Sequence, residues 1–211
     1  DNNYMILYQN TGSGFYVHKL DLSGNLVLNK KLPPPTSQHQ GSGLNYGEAV
    51  LDIFQPNDSM IVVQGENYDE YTGIRITNCF LRALTSNITQ KWFSNNFDTT
   101  KIETGAGMFY SNANKILFFG CKSDNSIFEK YGTVFVRSYS LTGVFENEVI
   151  LPQIEGSPTI IKKTISTPDG GYLLVGSNGQ LPSNDLVSPN KIILIKLNSD
   201  LTVSWTQSLN T

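Results

Sequence analysis

Short apolar runs bounded by turn residues recur along the chain, and no segment sustains the 3.6-residue apolar period of a helix. The clearest run is Tyr172-Leu173-Leu174-Val175-Gly176, behind the turn signal Thr167-Pro168-Asp169-Gly170-Gly171. A step of 56 residues back from Tyr172 reaches Ile116, which opens Ile116-Leu117-Phe118-Phe119-Gly120 behind Ser111-Asn112-Ala113-Asn114. A second step reaches Met60, opening Met60-Ile61-Val62-Val63, and a third reaches Tyr4, opening Tyr4-Met5-Ile6-Leu7. A fixed period of this length marks a repeat architecture.

Each run is followed by a further strand: Phe15–Leu20, Asn78–Leu84, Val134–Tyr139 and Ile192–Leu197. Tight turns come next at Asp21–Asn25, Thr85–Asn87, Ser140–Gly143 and Asn198–Asp200, rich in residues that accept φ > 0 or cap their own backbone. An outer strand then carries Leu28, Trp92 or Trp205 at one repeat position, where the third repeat has Asn147, with Phe145 nearby to take over the packing. An inner strand is read in Ala49–Ile53, Gly107–Phe109 and Ile160–Ile165, so that Ile53, Phe109 and Ile165 coincide. Four-stranded antiparallel units at 40–60-residue spacing predict an all-β β-propeller. Near-continuous apolar strands fit sheets covered on both faces, whereas a β-sandwich would show one polar face.

The expectation is a single domain, 1–211, of four four-stranded blades at approximately 1–35, 45–98, 104–152 and 158–211. The first blade lacks its inner strand. Three explanations stand open: a strand upstream in a longer chain, a larger ring of which this chain is part, or a strand donated by a partner.

DGGYLLVG, followed by KIILIKLN, a tight turn and VSWTQSL, resembles the repeat of secreted propeller proteins of Gram-negative bacteria, many of them cell-surface or outer-membrane-associated lipoproteins. The resemblance spans the chain and is sharpest over residues 160–211. It implies the propeller fold and an extracytoplasmic location: periplasm, outer-membrane surface or secreted. It carries over no activity.

Composition narrows the chemistry. Charged residues make up 16% of the chain and the net charge is −3, with no run of Lys or Arg, which argues against nucleic-acid partners. No apolar run reaches the length of a membrane span. Cys79 and Cys121 fall on different repeats at different positions, reading first as small buried hydrophobes. With only His18 and His39 and no CxxC spacing, neither a metal nor a cofactor is expected.

Long connections on one end of the blades are the expected place for binding. They are 33–43, 66–72, 122–131, 152–158 and 177–189. Two mix aromatic and acidic residues: Tyr68, Asp69, Glu70 and Tyr71 in one, and Asp124, Phe128, Glu129 and Tyr131 in the other. With His39 these form the expected ligand or partner surface, since a Tyr ring stacks while its hydroxyl bonds. No acid recurs in a way that singles out a catalytic pair, and no nucleophile elbow surrounds a Ser. The sequence thus points to a non-enzymatic extracytoplasmic binding or scaffold module, engaging protein partners as an accessory subunit of a cell-surface or outer-membrane assembly. The alternative is a carbohydrate-binding protein or a polysaccharide-active enzyme using acids on the long-loop face.

Overall fold

The computed structural model describes residues 4–10, 14–32, 46–71, 74–94, 101–111, 113–124, 132–154, 159–178 and 191–210. Every regular element among them is a strand. The first sheet is β1 (Tyr4–Asn10), β2 (Gly14–Leu20) and β3 (Leu26–Lys31). The second is β4 (Tyr46–Asn57), β5 (Met60–Tyr71), β6 (Ile74–Leu84) and β7 (Gln90–Ser94). The third is β8 (Lys101–Tyr110), β9 (Lys115–Asp124), β10 (Thr133–Ser140) and β11 (Phe145–Ile150). The fourth is β12 (Thr159–Ser166), β13 (Tyr172–Asn178), β14 (Lys191–Leu197) and β15 (Val203–Asn210). Each is an antiparallel meander in chain order. No helix among the described residues is long and apolar enough to cross a membrane.

One turn design closes the last hairpin of all four sheets. Amides of Asp21, Thr85, Ser140 and Asn198 donate to the carbonyls of Asn25, Thr89, Val144 and Thr202, at 2.8–3.0 Å. The fourth residue of each turn takes positive φ: Gly24 (82°), Ile88 (60°), Gly143 (83°) and Leu201 (68°). Immediately beyond, the register slips by one residue opposite Lys19/Leu20, Ala83/Leu84, Ser138/Tyr139 and Lys196/Leu197. A turn with a left-handed residue followed by a bulge is a standard hairpin closure. Its fourfold recurrence makes the repeat visible in the backbone.

The register also corrects the phase of the second repeat. The strand residue paired with the last residue before the turn is Tyr4, Ile61, Ile116 and Tyr172 in successive sheets. The spacings are therefore 57, 55 and 56 residues, and Ile61 rather than Met60 is the counterpart of Ile116. Because side chains alternate across a strand, one residue decides the face. Ile61 and Val63 join Val17, Leu32 and Leu84 between the first and second sheets. Met60 and Val62 join Ile116, Phe118, Phe135 and Tyr139 between the second and third. Leu117, Phe119, Val134 and Val136 meet Tyr172, Leu174, Ile193 and Ile195 between the third and fourth. The sheets thus share cores pairwise in chain order, and the second and third are apolar on both faces.

A second correction concerns the connection expected at 66–72. β5 continues to Tyr71 and pairs with β6 as far as Tyr71↔Ile74, so Tyr68, Asp69, Glu70 and Tyr71 stand in a hairpin strand. Polarity suggested a loop, but main-chain pairing with β4 as well as β6 extends the ladder through this polar stretch.

The interface between the second and third sheets holds a buried ion cluster. Arg137 lies over the Phe135 ring, 4.3 Å from its centroid, and bonds Glu103, which is fully buried. Arg137 also donates to Glu148 Oε2 at 2.7 Å, and Lys122 bonds the other oxygen of Glu148. Burial opposes the charge on Glu148, but the bonds to Lys122 and Arg137 outweigh it and hold the carboxyl below its ordinary 4.5. A lowered folded value means that this contribution is complete above 4.5 and lost as pH falls through that lower value. Melting temperature is expected to fall from about pH 5 to about pH 3, and Glu148→Gln to flatten that slope. An unchanged slope in Glu148→Gln would remove the ion cluster from the acid response.

Candidate functional site: a cavity between the third and fourth sheets

The outer strand of each sheet carries one residue at a fixed register position, and in the second sheet that residue meets the hairpin turn of the third. The position is set by register: Leu28 pairs with Lys19, Trp92 with Ala83, Asn147 with Ser138 and Trp205 with Lys196. Trp92 shows how it is used. Its Nε1 donates to the Leu141 carbonyl at 2.9 Å, and its ring lies against Gly143, where a Cβ would approach Trp92 Cδ2 to 2.5 Å. An indole needs both the open glycine and the free carbonyl.

The next interface has neither partner of that contact. Asn147 replaces the indole, and Leu201 replaces the glycine. Phe145, expected to substitute, turns instead to Tyr139 in its own sheet, with ring centroids 5.8 Å apart. The space left open is a cavity of about 600 Å³ lined in part by Asn147, Ser138, Leu201 and Val149, a size typical of small-molecule sites.

The floor is aromatic. Phe109 and Tyr172 both line the cavity and pack together at 5.4 Å, and Phe119 braces them from beneath at 5.7 and 5.1 Å. Tyr172 is mostly buried, and burial raises its phenol above the ordinary value, so it remains a neutral donor. The rim is polar: Ser111, Ser166, Ser199, Asp200 and Lys115 reach it from the turns of β8–β9, β12–β13 and β14–β15. Asp200 accepts from the Thr202 amide at 3.0 Å and its hydroxyl at 2.6 Å, which lowers its pKa and keeps it ionised. Lys115 is held by Glu146 at 2.8 Å. Such a site offers an apolar platform with hydroxyl, amide and carboxylate groups around it, and Asp200 is its one carboxylate among the described lining residues.

The described residues that line this cavity are other than those expected from sequence to form a ligand surface. Tyr68, Asp69, Glu70 and Tyr71 lie in β5, and Asp124 ends β9 opposite Lys101. His39, Phe128, Glu129 and Tyr131 lie outside the described residues. The cavity sits at the end of the sheets that carries the β8–β9, β12–β13 and β14–β15 turns. Its sequence signal was the misfit at Asn147, where the other repeats carry Leu or Trp.

Both cysteines are free and buried in the shared cores. Burial pushes the Cys121 thiol up to about 12, and its sulfur accepts from the Ile161 amide at 3.0 Å. Burial, then the nearby Glu66 and Glu103 carboxylates, likewise raise Cys79. Neither is a nucleophile at neutral pH. Among the described residues, no group of three or more His, Cys, Asp or Glu is placed to hold a metal ion.

No protein-family model matches the chain, and no curated protein matches it.

Proposed function

We propose that the chain is a non-enzymatic binding and scaffold module of the β-propeller type, and that the cavity behind Asn147 takes a neutral polar ligand of the saccharide class. The propeller reading is supported by the pairwise sharing of cores and by the contacts of first strands along the series, β4 on β8 and β8 on β12. The resemblance of the repeat to secreted propeller proteins places the module outside the cytoplasm in this reading. There it would serve as an accessory subunit of a surface assembly, with protein contacts through its long-connection end.

The observation that carries the ligand class is the cavity's composition. A sugar ring has an apolar face that stacks on aromatic side chains and a girdle of hydroxyls that bond Ser, Asn and Asp. Glycoside hydrolysis requires two carboxyl groups flanking the bond, whereas Asp200 is the one carboxylate among the described lining residues. That difference supports binding without turnover.

Filling the cavity tests the reading. Asn147→Trp combined with Leu201→Gly rebuilds the Trp92–Gly143 contact at this interface. Titration calorimetry against a panel of neutral oligosaccharides is expected to find a saturable ligand for the wild type. Affinity should drop about tenfold or more in the filled protein, the loss of at least one good contact. Equal binding by both proteins would move the site elsewhere. Absence of any binding saccharide, or release of reducing ends, would overturn the reading itself.

A further inference from the structure

The two ends of the stack carry the separated halves of the Trp92–Gly143 contact. On the fourth sheet, Trp205 occupies the register position of Trp92 and is 44% exposed. On the same face, Ile165, Ile192 and Leu209 are exposed. Counterparts on the third sheet show what such a face is built for: Leu117 and Phe119, which correspond to Leu173 and Val175, are buried against the next sheet.

The first sheet carries the other half. Its β2–β3 turn has the same two backbone bonds as the β10–β11 turn, and Gly24 (φ 82°) matches Gly143 (φ 83°). Gly143 receives an indole, yet among the described residues nothing lies within 4 Å of a Cβ built at Gly24, and Leu22 beside it is 64% exposed. Tyr16, His18 and Leu20 on this face are only half-buried, although their counterparts Phe80, Arg82 and Leu84 are buried. These two faces stand at opposite ends of the series, and no substantial strand packing among the described residues joins them.

We propose that the β12–β15 sheet of one copy docks on the β1–β3 sheet of a second copy, with Trp205 over Gly24 and its Nε1 donating to the Leu22 carbonyl. This is independent of the ligand cavity. The contact is head to tail: two different patches meet, so copies join into a closed ring or an open series. A second copy is the fitting occupant because its first sheet presents the glycine, the free carbonyl and the half-buried face that this interface uses elsewhere in the molecule.

Light scattering over a range of concentrations tests it. The wild-type chain is expected above its single-chain mass of 23.4 kDa, with association weakened about tenfold or more by Trp205→Ala. Gly24→Asn should do the same, since Asn tolerates left-handed backbone and its Cβ would meet no described atom within 4 Å, while the side chain blocks the indole. Ile192→Lys on the same face provides a second disruption should Trp205→Ala melt early. The decisive arm mixes the two single variants. Trp205→Ala retains a working Gly24 and Gly24→Asn a working Trp205, so together they should give a complex of two chains and no larger. A wild type that stays at 23.4 kDa throughout would overturn the proposal, whether Trp205 is exposed or shielded within its own chain. So would association untouched by all three variants, or a mixture of the two single variants that forms no pair.

Discussion

Replacing Glu103 with leucine is expected to cost about 3–5 kcal/mol of stability, the loss seen when one member of a buried ion pair is removed. Glu103 is fully buried and bonds the Arg137 guanidinium twice. Burial by itself opposes the charge on Arg137; the hydrogen bonds it donates to Glu103 and Glu148 more than offset it, so the guanidinium stays charged at any accessible pH. Without Glu103, one face of that cation is left in a dry interface, with Glu148 its remaining carboxylate partner. At 2–4 °C per kcal/mol for a chain of this size, the melting temperature should fall by roughly 6–20 °C. Glu103→Leu with Arg137→Leu should lose less than Glu103→Leu alone, because the orphaned charge goes too and Glu148 keeps Lys122. If the double variant melted below the single one, Arg137 would still be stabilising through Glu148 and Phe135, and an orphaned charge would not be the cause of the loss.

Gly176→Ala is the second change expected to hurt, by about 3 kcal/mol, at the upper end of overpacking costs. A Cβ at Gly176 would stand 2.1 Å from the Ile160 carbonyl oxygen and 3.0 Å from Ile161 Cα. Both obstacles are backbone, held in the β12–β13 ladder beside the bulge at Ile161/Lys163. Gly120 repeats the arrangement beside the Gly105/Gly107 bulge, 2.6 Å from the Thr104 oxygen. Gly170→Ala is the control: its φ of 80° disfavours a side chain, but only Ser199 Cβ at 4.0 Å is near. It should cost about 1–2 kcal/mol, the ordinary penalty of left-handed backbone. Chemical denaturation of both variants would separate crowding from conformation, and similar losses would rule out the backbone collision as the cause.

The sequence disclosed the hairpins most clearly where turn and strand cues agreed, as from Thr167 to Leu197. It misplaced the second repeat by one residue, because Met60, Ile61, Val62 and Val63 are all apolar and all buried. A strand covered on both faces has no polar alternation to fix its phase; only pairing with Leu84 does. Tyr68 to Tyr71 read as a loop because polarity stands in for exposure, whereas strand pairing is a property of the main chain. Asn147 breaks the series of Leu and Trp at its repeat position, but its meaning depends on the Trp92–Leu141 contact across a gap of 49 residues, which no local pattern reports. The cavity was therefore detectable as an anomaly and not as a site.

The bulge at the start of each outer strand bears on how this protein avoids clumping. It leaves Val27, Lys91, Glu146 and Ser204 unpaired in the ladders of β3, β7, β11 and β15. A strand from elsewhere that tried to zip onto any of these borders would find its hydrogen-bond spacing broken within the first residues. Such a break is a known defence against runaway strand addition and fibril growth. Four outer borders broken at one place leave the faces, rather than these four edges, as the surfaces on which copies of this chain can meet in an orderly way.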